Sequence, residues 1–309
     1  MKDTKVIVEG ALTSAIFIVL FLICIYIPPI SIVGVFFWPI PLLFYTSRHG
    51  IKAGLIAFLA AFVLMLLFTH IITAVSGLLF LITGLVMGYV LYLRKSAFAV
   101  LTAGSLATII GLVAYYGALV SFFHIAPFKE IIDSAIKFSK EAEKLSPSSA
   151  KEQWEMYREM FKMLPTLAPM ILTIGGISFS FIIQLISAPI LRRLGADFPK
   201  WPAFREWSVP RSLLWYYLIS LGILLFGRLE TNSTLYMVVL NVFEILELAM
   251  VLQGVTLIFY FFHERGTRIT IPVILSIVGV IIPFTLYIIR ILGIIDLGIG
   301  LRARIRKKQ

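Results

Sequence analysis

The stretch from Trp38 to Leu93 reads WPIPLLFYTSRHG (38–50), IKAGLIAFLAAFVLMLLFTHI (51–71) and ITAVSGLLFLITGLVMGYVLYL (72–93), and it closes on Arg94 and Lys95. Apolar runs flank a turn made of Ser47, Arg48, His49, Gly50 and Lys52. A helical run of about 20 apolar residues matches the ~30 Å hydrocarbon core of a bilayer. Loops carrying Lys and Arg are retained in the cytoplasm, so Arg48 with Lys52 marks one inner turn and Arg94 with Lys95 the next. The turn between them, His70 to Gly77, has no Lys or Arg and is expected outside. This alternation sets the expected topology of the whole chain.

Composition agrees. Of 309 residues, 60% are hydrophobic and 14% charged, with a mean hydropathy of +0.99. A soluble domain carries about 25% charged residues, and a soluble fold this apolar would expose large sticky patches. The net charge of +11 comes from 27 Lys and Arg against 16 Asp and Glu. Because the cations fall in short loops and in the tail from Arg302 to Lys308, they orient the chain and face anionic headgroups; no nucleic-acid partner is expected. The lone Cys24 excludes an intrachain disulfide. Lys2 and Lys5 precede an apolar run with no small-residue cleavage site, so this run is expected as a retained first helix.

In chain order the expected spans are 10–27, 32–46, 51–71, 73–93, 98–123, 167–191, 211–226 and 235–262. Pro39 and Pro41 interrupt the second span, and broken backbone at membrane depth survives where protein or a water-filled cavity covers it. Gly84-x-x-x-Gly88 is a small-residue surface for close helix approach. Residues 127–165 are polar, with seven basic and seven acidic side chains. Such neutrality suits an outer loop. Ile131, Ile132, Ala135, Phe138, Ala142 and Leu145 recur at helical spacing. Ser146-Pro147 ends that helix, and Ser149 with Glu152 forms a capping-box pattern for a second; together they predict an outer helical hairpin. The loop to Pro210 carries Lys200, Trp201, Arg205 and Trp207, either an interfacial anchor or a docking surface. The last apolar segment, 269–300, is interrupted by Pro283, Arg290 and Asp296. A single crossing there would leave the basic tail outside, so either this segment turns back within the membrane or the eighth span does not cross once.

No nucleophile elbow, P-loop, dinucleotide fingerprint or HExxH motif is present, and His49, His70, His124 and His263 have no metal-ligand spacing. No catalytic residue, metal site or cofactor is therefore expected, and the chain is not read as an enzyme. The costly residues are Glu244 and Glu247 within the eighth span, sharing three-residue steps with Asn241. Ionisable groups at membrane depth face a protein interior or water and find partners. Arg290 is the candidate countercharge, with Arg228 the alternative; the cluster is either a proton or substrate site or a structural ion pair. Asp296 can cap or pair with the Arg302–Arg306 cluster.

Gly10-Ala-Leu-Thr-Ser-Ala-Ile16, the Gly50-Ile-Lys-Ala-Gly54 turn and Gly84-Leu-Val-Met-Gly88 ahead of Arg94 carry a resemblance. The whole chain resembles the YybS-like family of predicted bacterial membrane proteins. Its first six spans also look like the substrate-binding subunits of energy-coupling-factor transporters. That second resemblance implies helix packing against a transmembrane coupling subunit at Ala11 and Ala15, a separate ATPase, and an outer pocket near Trp38, Tyr115 and Tyr116. The same scaffold resembles a cell-shape protein that acts as an assembly partner.

The sequence thus predicts an all-α polytopic bundle of eight to nine spans with an extracytoplasmic hairpin. It divides into a six-helix module (1–193), a cytoplasmic loop (194–210), and C-terminal helices with a basic tail (211–309). Expected is a bacterial inner-membrane protein, both termini cytoplasmic, that binds or moves a small solute. The alternative is a non-transporting scaffold that recruits partners.

Overall fold

A computed structural model describes residues 2–145, 151–230 and 233–306, whose regular elements are helices with no strand among them. They form two compact units. The first comprises residues 1–165 and 171–200, and the second residues 166–170 and 201–309.

In the first unit the helices are α1 (Lys2–Tyr26), α2 (Pro28–Gly34), α3 (Pro39–Phe68), α4 (Ile71–Tyr92), α5 (Ala97–Phe123), α6 (Pro127–Leu145) and α7 (Lys151–Arg193, of which residues 166–170 belong to the second unit), with a 3-10 turn at Val35–Phe37 between α2 and α3. Local chemistry sets their ends. Pro28 opens α2 and Pro39 opens α3, where a missing N–H costs nothing. Ser96 caps α5 by accepting from the Ala99 N–H at 3.3 Å.

Helix α3 is two arms. Gly50 sits at φ 79°, ψ −178°, outside the helical region. Glycines on α4 report the directions of the two arms, because each lets a neighbour approach closely. An added Cβ at Gly84 would meet the Pro39 carbonyl, and one at Gly88 the Leu43 carbonyl, each at 2.5 Å. The first arm therefore runs parallel to α4. Gly54, by contrast, faces Leu85, and Gly77 faces Met65, so the second arm runs antiparallel. The chain reverses at Gly50, in the turn that Arg48 and Lys52 mark, and the small-residue groove of α4 is filled by this same chain. A buried polar ladder adds direction to the apolar packing: Thr108 lies 3.0 Å from both Thr83 and Ser180, and Gln184 donates to the Ala97 carbonyl at 3.0 Å. These bonds stitch α4, α5 and α7, each worth about 0.6–2 kcal/mol in a membrane.

The hairpin forms with one difference from expectation. Its second arm and the sixth span are a single helix, α7, of 43 residues. At 1.5 Å per residue this is about 65 Å, roughly twice the bilayer core. Arg158 pairs with Glu143 at 2.6 Å across the hairpin. Ser146-Pro147 and the Ser149 cap lie outside the described residues.

The second unit holds α8 (Ser212–Phe226), α9 (Thr234–Glu264), α10 (Thr270–Ile281), α11 (Pro283–Ile299) and α12 (Leu301–Arg306). Ser233 caps α9 by accepting from the Tyr236 N–H at 3.1 Å. α9 and α11 cross closely, with the Ile289 carbonyl against Gly254 and the Met250 carbonyl against Gly293; only glycine admits backbone that near. Pro283 starts α11, and the α10–α11 pair is bent by 115°. Both ends of the pair come back to the same segment. Ile269 and Pro272 share a small cavity with Phe204 and Arg205, and Arg302 Nη1 donates to the Arg205 carbonyl at 2.9 Å. The last apolar segment therefore turns back on itself, one of the two arrangements expected from sequence.

Six helical stretches among the described residues are long and apolar enough to cross a bilayer, among them Pro28–Phe68 with 41 residues. Because that stretch reverses at Gly50 it supplies two arms, and the shorter α8 spans about 22 Å. The chain is an all-α polytopic membrane bundle.

Candidate functional site

A well-formed concavity lies in the first unit, between α1 and the first arm of α3. It encloses about 400 Å³. α1 contributes Leu12, Thr13, Ile16 and Leu20, and the facing wall is Phe37, Ile40, Pro41 and Phe44. Leu12 and Ile16 remain 59% and 44% exposed, so the crevice opens along the exposed side of α1. One end is polar. Glu9, Tyr45 and Arg48 line it with Leu194. His49 Nε2 lies 2.6 Å from Glu9 Oε2, with Lys5 Nζ 3.8 Å from the other carboxylate oxygen. Tyr45 donates to the Val6 carbonyl at 2.9 Å. Arg48 donates to the Leu194 carbonyl and stacks over Phe44 at 4.3 Å. Such a site can hold an apolar body and orient a polar end.

Arg48 also lines a second, polar cavity of about 260 Å³ with Ser47, Tyr92, Arg94 and Asp197. Arg94 ends α4 in the left-handed region, at φ 52°. The two cavities therefore meet at the Arg48–Leu194 contact. Nothing in sequence spacing points to this meeting of residues from positions 9, 48 and 194.

The residues named from sequence distribute as follows. Trp38 is buried between Phe21 and Phe80, with ring centroids 4.6 Å from each, and its Nε1 has no hydrogen-bond partner among the described residues. Tyr116 packs on Phe128 of the hairpin at 5.4 Å, and Tyr115 is half-buried on α5. None of the three lines the α1–α3 crevice. Ala11 and Ala15 are exposed on α1, on either side of Leu12. In the second unit Arg290 Nη1 lies 2.5 Å from Glu247 Oε1 and stacks over Tyr287 at 4.5 Å. Glu244 is half-buried and has no ion pair or hydrogen bond to a described residue. Asn241 is occupied elsewhere. Its Nδ2 donates to the Thr166 carbonyl at 2.7 Å and its Oδ1 accepts from the Met170 N–H at 2.8 Å. These are the two members of one i, i+4 pair beside Pro169, so the amide supports a helix weakened by proline.

A further polar centre surrounds Asp296, whose side chain is 3% exposed. Its Oδ2 accepts from Gln253 Nε2 at 2.5 Å and Arg302 Nε at 2.9 Å. Arg302 also donates to the carbonyls of Arg205 and Trp207, both at 2.9 Å, and to Thr256 Oγ1 at 2.7 Å. Gln253 Oε1 accepts from the Val209 N–H at 3.0 Å. A buried charge with every neighbour satisfied in this manner rigidifies its surroundings.

Fold and site together define a multi-pass membrane protein with a crevice between two of its helical segments. Residues 15–297 match the model of a family described as "Predicted membrane protein (DUF2232)". The chain is also 30% identical over 319 aligned positions to the "Uncharacterized protein YybS" of Bacillus subtilis (strain 168), covering 99% of this chain and all of that relative. No solved structure matches it. The chain belongs to this family of YybS-like membrane proteins.

Proposed function

We propose that this protein binds a small amphipathic solute within the bacterial cell membrane, in the crevice between α1 and the first arm of α3. The observation that carries the reading is the cavity of about 400 Å³, apolar along its length and polar at one end. Binding without covalent chemistry suits a lining of aliphatic and aromatic side chains with an Arg and a carboxylate at the rim. Movement of the solute would draw energy from a separate transmembrane coupling subunit and its ATPase, since the chain carries no nucleotide motif. Both termini are cytoplasmic in this reading, with the hairpin outside.

The test fills the crevice. Ile16→Trp, purified from native membranes beside the parent protein, should lose a bound small molecule that intact-protein mass spectrometry detects on the parent. Equal retention by both would refute the site. Co-purification of an ATPase-containing complex, disrupted by Ala11→Leu with Ala15→Leu, supports the coupled form; an undisturbed complex refutes it.

A scaffold reading is favoured by one observation: Ile131, Phe138 and Leu145 of α6 are 57%, 68% and 90% exposed. A stripe of that kind suits a partner protein or the membrane surface. Loss of partner recovery in Ile131→Ser with Phe138→Ser, solute binding intact, would support this role.

A further inference from the structure

We infer that the occupant of the crevice is a long-chain amphiphile with an anionic headgroup, its chain lying along α1 and its headgroup seated in the polar cup at Arg48 and Arg94. This rests on the reading of the crevice as a binding site and names what that site takes.

The shape argues for a chain. Leu20 and Phe37 line both the crevice and a second apolar cavity of about 360 Å³, which continues past Cys24 to Pro29 and Val33. The two form one groove along α1. From Leu12 to Cys24 it covers about 18 Å at 1.5 Å per residue, more than half of the ~30 Å hydrocarbon core. A compact solute would leave most of this length empty, whereas an acyl or prenyl chain fills it.

Charge argues for the headgroup. The groove ends at Arg48, which also lines the polar cup, so a molecule in the groove reaches the cup with its terminal atoms. There Arg94 has no hydrogen bond or ion pair from its guanidinium to a described residue. Arg48 spends one donor on the Leu194 carbonyl, out of the five a guanidinium carries. Asp197 opposes two guanidinium groups, and Glu9 at the groove end is engaged by His49 and Lys5. The balance is positive. Guanidinium donors suit phosphate or carboxylate oxygens in a forked geometry, and the tyrosine hydroxyl of Tyr92 adds a donor. A headgroup ending in a quaternary ammonium would set cation against cation.

The experiment uses the full chain in nanodiscs of phosphatidylcholine, doped with phosphatidic acid bearing a photoactivatable diazirine on one acyl chain, or with the matching phosphatidylcholine probe. Crosslinked peptides are mapped by mass spectrometry and referred to α10, where exposed Ile277 and Val280 report bulk lipid. The inference predicts that the phosphatidic acid probe labels α1 and the first arm of α3 about tenfold above that reference. The choline probe should not. Arg94→Asn, a residue suited to left-handed backbone, should remove most of the difference by bringing the phosphatidic acid probe down toward the choline level. Ile16→Trp should bring groove labelling by the phosphatidic acid probe down to the bulk level. Equal groove labelling by the two probes, unmoved by Arg94→Asn, overturns the headgroup assignment and leaves the binding site standing. Labelling at the bulk level by both overturns the site as well. Protection by inorganic phosphate alone at the cup, without groove labelling, overturns the amphiphile, as does a co-purifying protein crosslinked into the groove.

Discussion

Arg302→Ala tests the buried centre around Asp296. The arginine donates to the Asp296 carboxylate, two backbone carbonyls and the Thr256 hydroxyl. Its removal leaves a carboxylate that is 3% exposed with Gln253 as its remaining donor. Breaking a buried pair from one side costs about 3–5 kcal/mol, because an uncompensated charge stays behind. The carbonyls of Arg205 and Trp207 lose partners too, at about 1 kcal/mol or more each if water stays out. The ion-pair loss dominates. At ~1.4 kcal/mol per decade, local opening of this region should rise on the order of 10²- to 10³-fold. Hydrogen–deuterium exchange in detergent reads it locally, which matters because a two-unit chain need not unfold in one step. The informative amides are Glu206, Trp207 and Val209, bonded to the Ala203 carbonyl, the Phe204 carbonyl and Gln253 Oε1. Adding Asp296→Asn should recover much of the protection, since the stranded charge is then gone. Unchanged exchange in Arg302→Ala, or no recovery in the double variant, would refute the charge argument.

Three further outcomes follow from the geometry. Arg290→Met strands two carboxylates, Glu244 and Glu247, whereas Glu247→Gln leaves Glu244 facing the arginine; thermal unfolding in detergent should rank Arg290→Met lower, by about 3 kcal/mol, and the reverse order would refute the pairing. Gly88→Leu drives a side chain into the Leu43 carbonyl and should cost about 3 kcal/mol, the top of the overpacking range, while Gly117→Leu meets open space and should leave the same melting curve unchanged. Asn241→Ala strips the Thr166–Met170 pair of its amide bridge and should cost about 1–2 kcal/mol, seen as faster exchange at the Met170 amide; Asn241→Asp, which keeps one acceptor, should retain part of the protection.

Much of the fold was legible because a bilayer demands long apolar helices and charged turns, and both are visible in one dimension. The reversal at Gly50 was readable from Arg48 and Lys52, and the bent final pair was one of two arrangements that the mismatch between crossings and basic tail left open. The continuity of α7 through Pro165 and Pro169 was not, since proline argues locally for a break and the supporting amide comes from Asn241, 71 residues beyond Met170. The polar face of α9 was read too broadly. Three-residue steps rotate a side chain by about 300°, so Asn241 and Glu247 point about 120° apart. One meets α7 and the other α11. The Asp296–Arg302 contact was legible as charge proximity, while Gln253 gave no signal because a neutral amide in an apolar run has many fates. The crevice was illegible for a plainer reason: Glu9, Arg48 and Leu194 have no mutual spacing, and only the packed helices bring them together.

The most direct measurement is a cryo-electron microscopy map of the protein in native-lipid nanodiscs. The account predicts a continuous tube of density between Leu12–Leu20 of α1 and Phe37–Phe44, ending within hydrogen-bond distance of Arg48. A groove closed by its own side chains, or open and without density in a map that resolves those side chains, would contradict it.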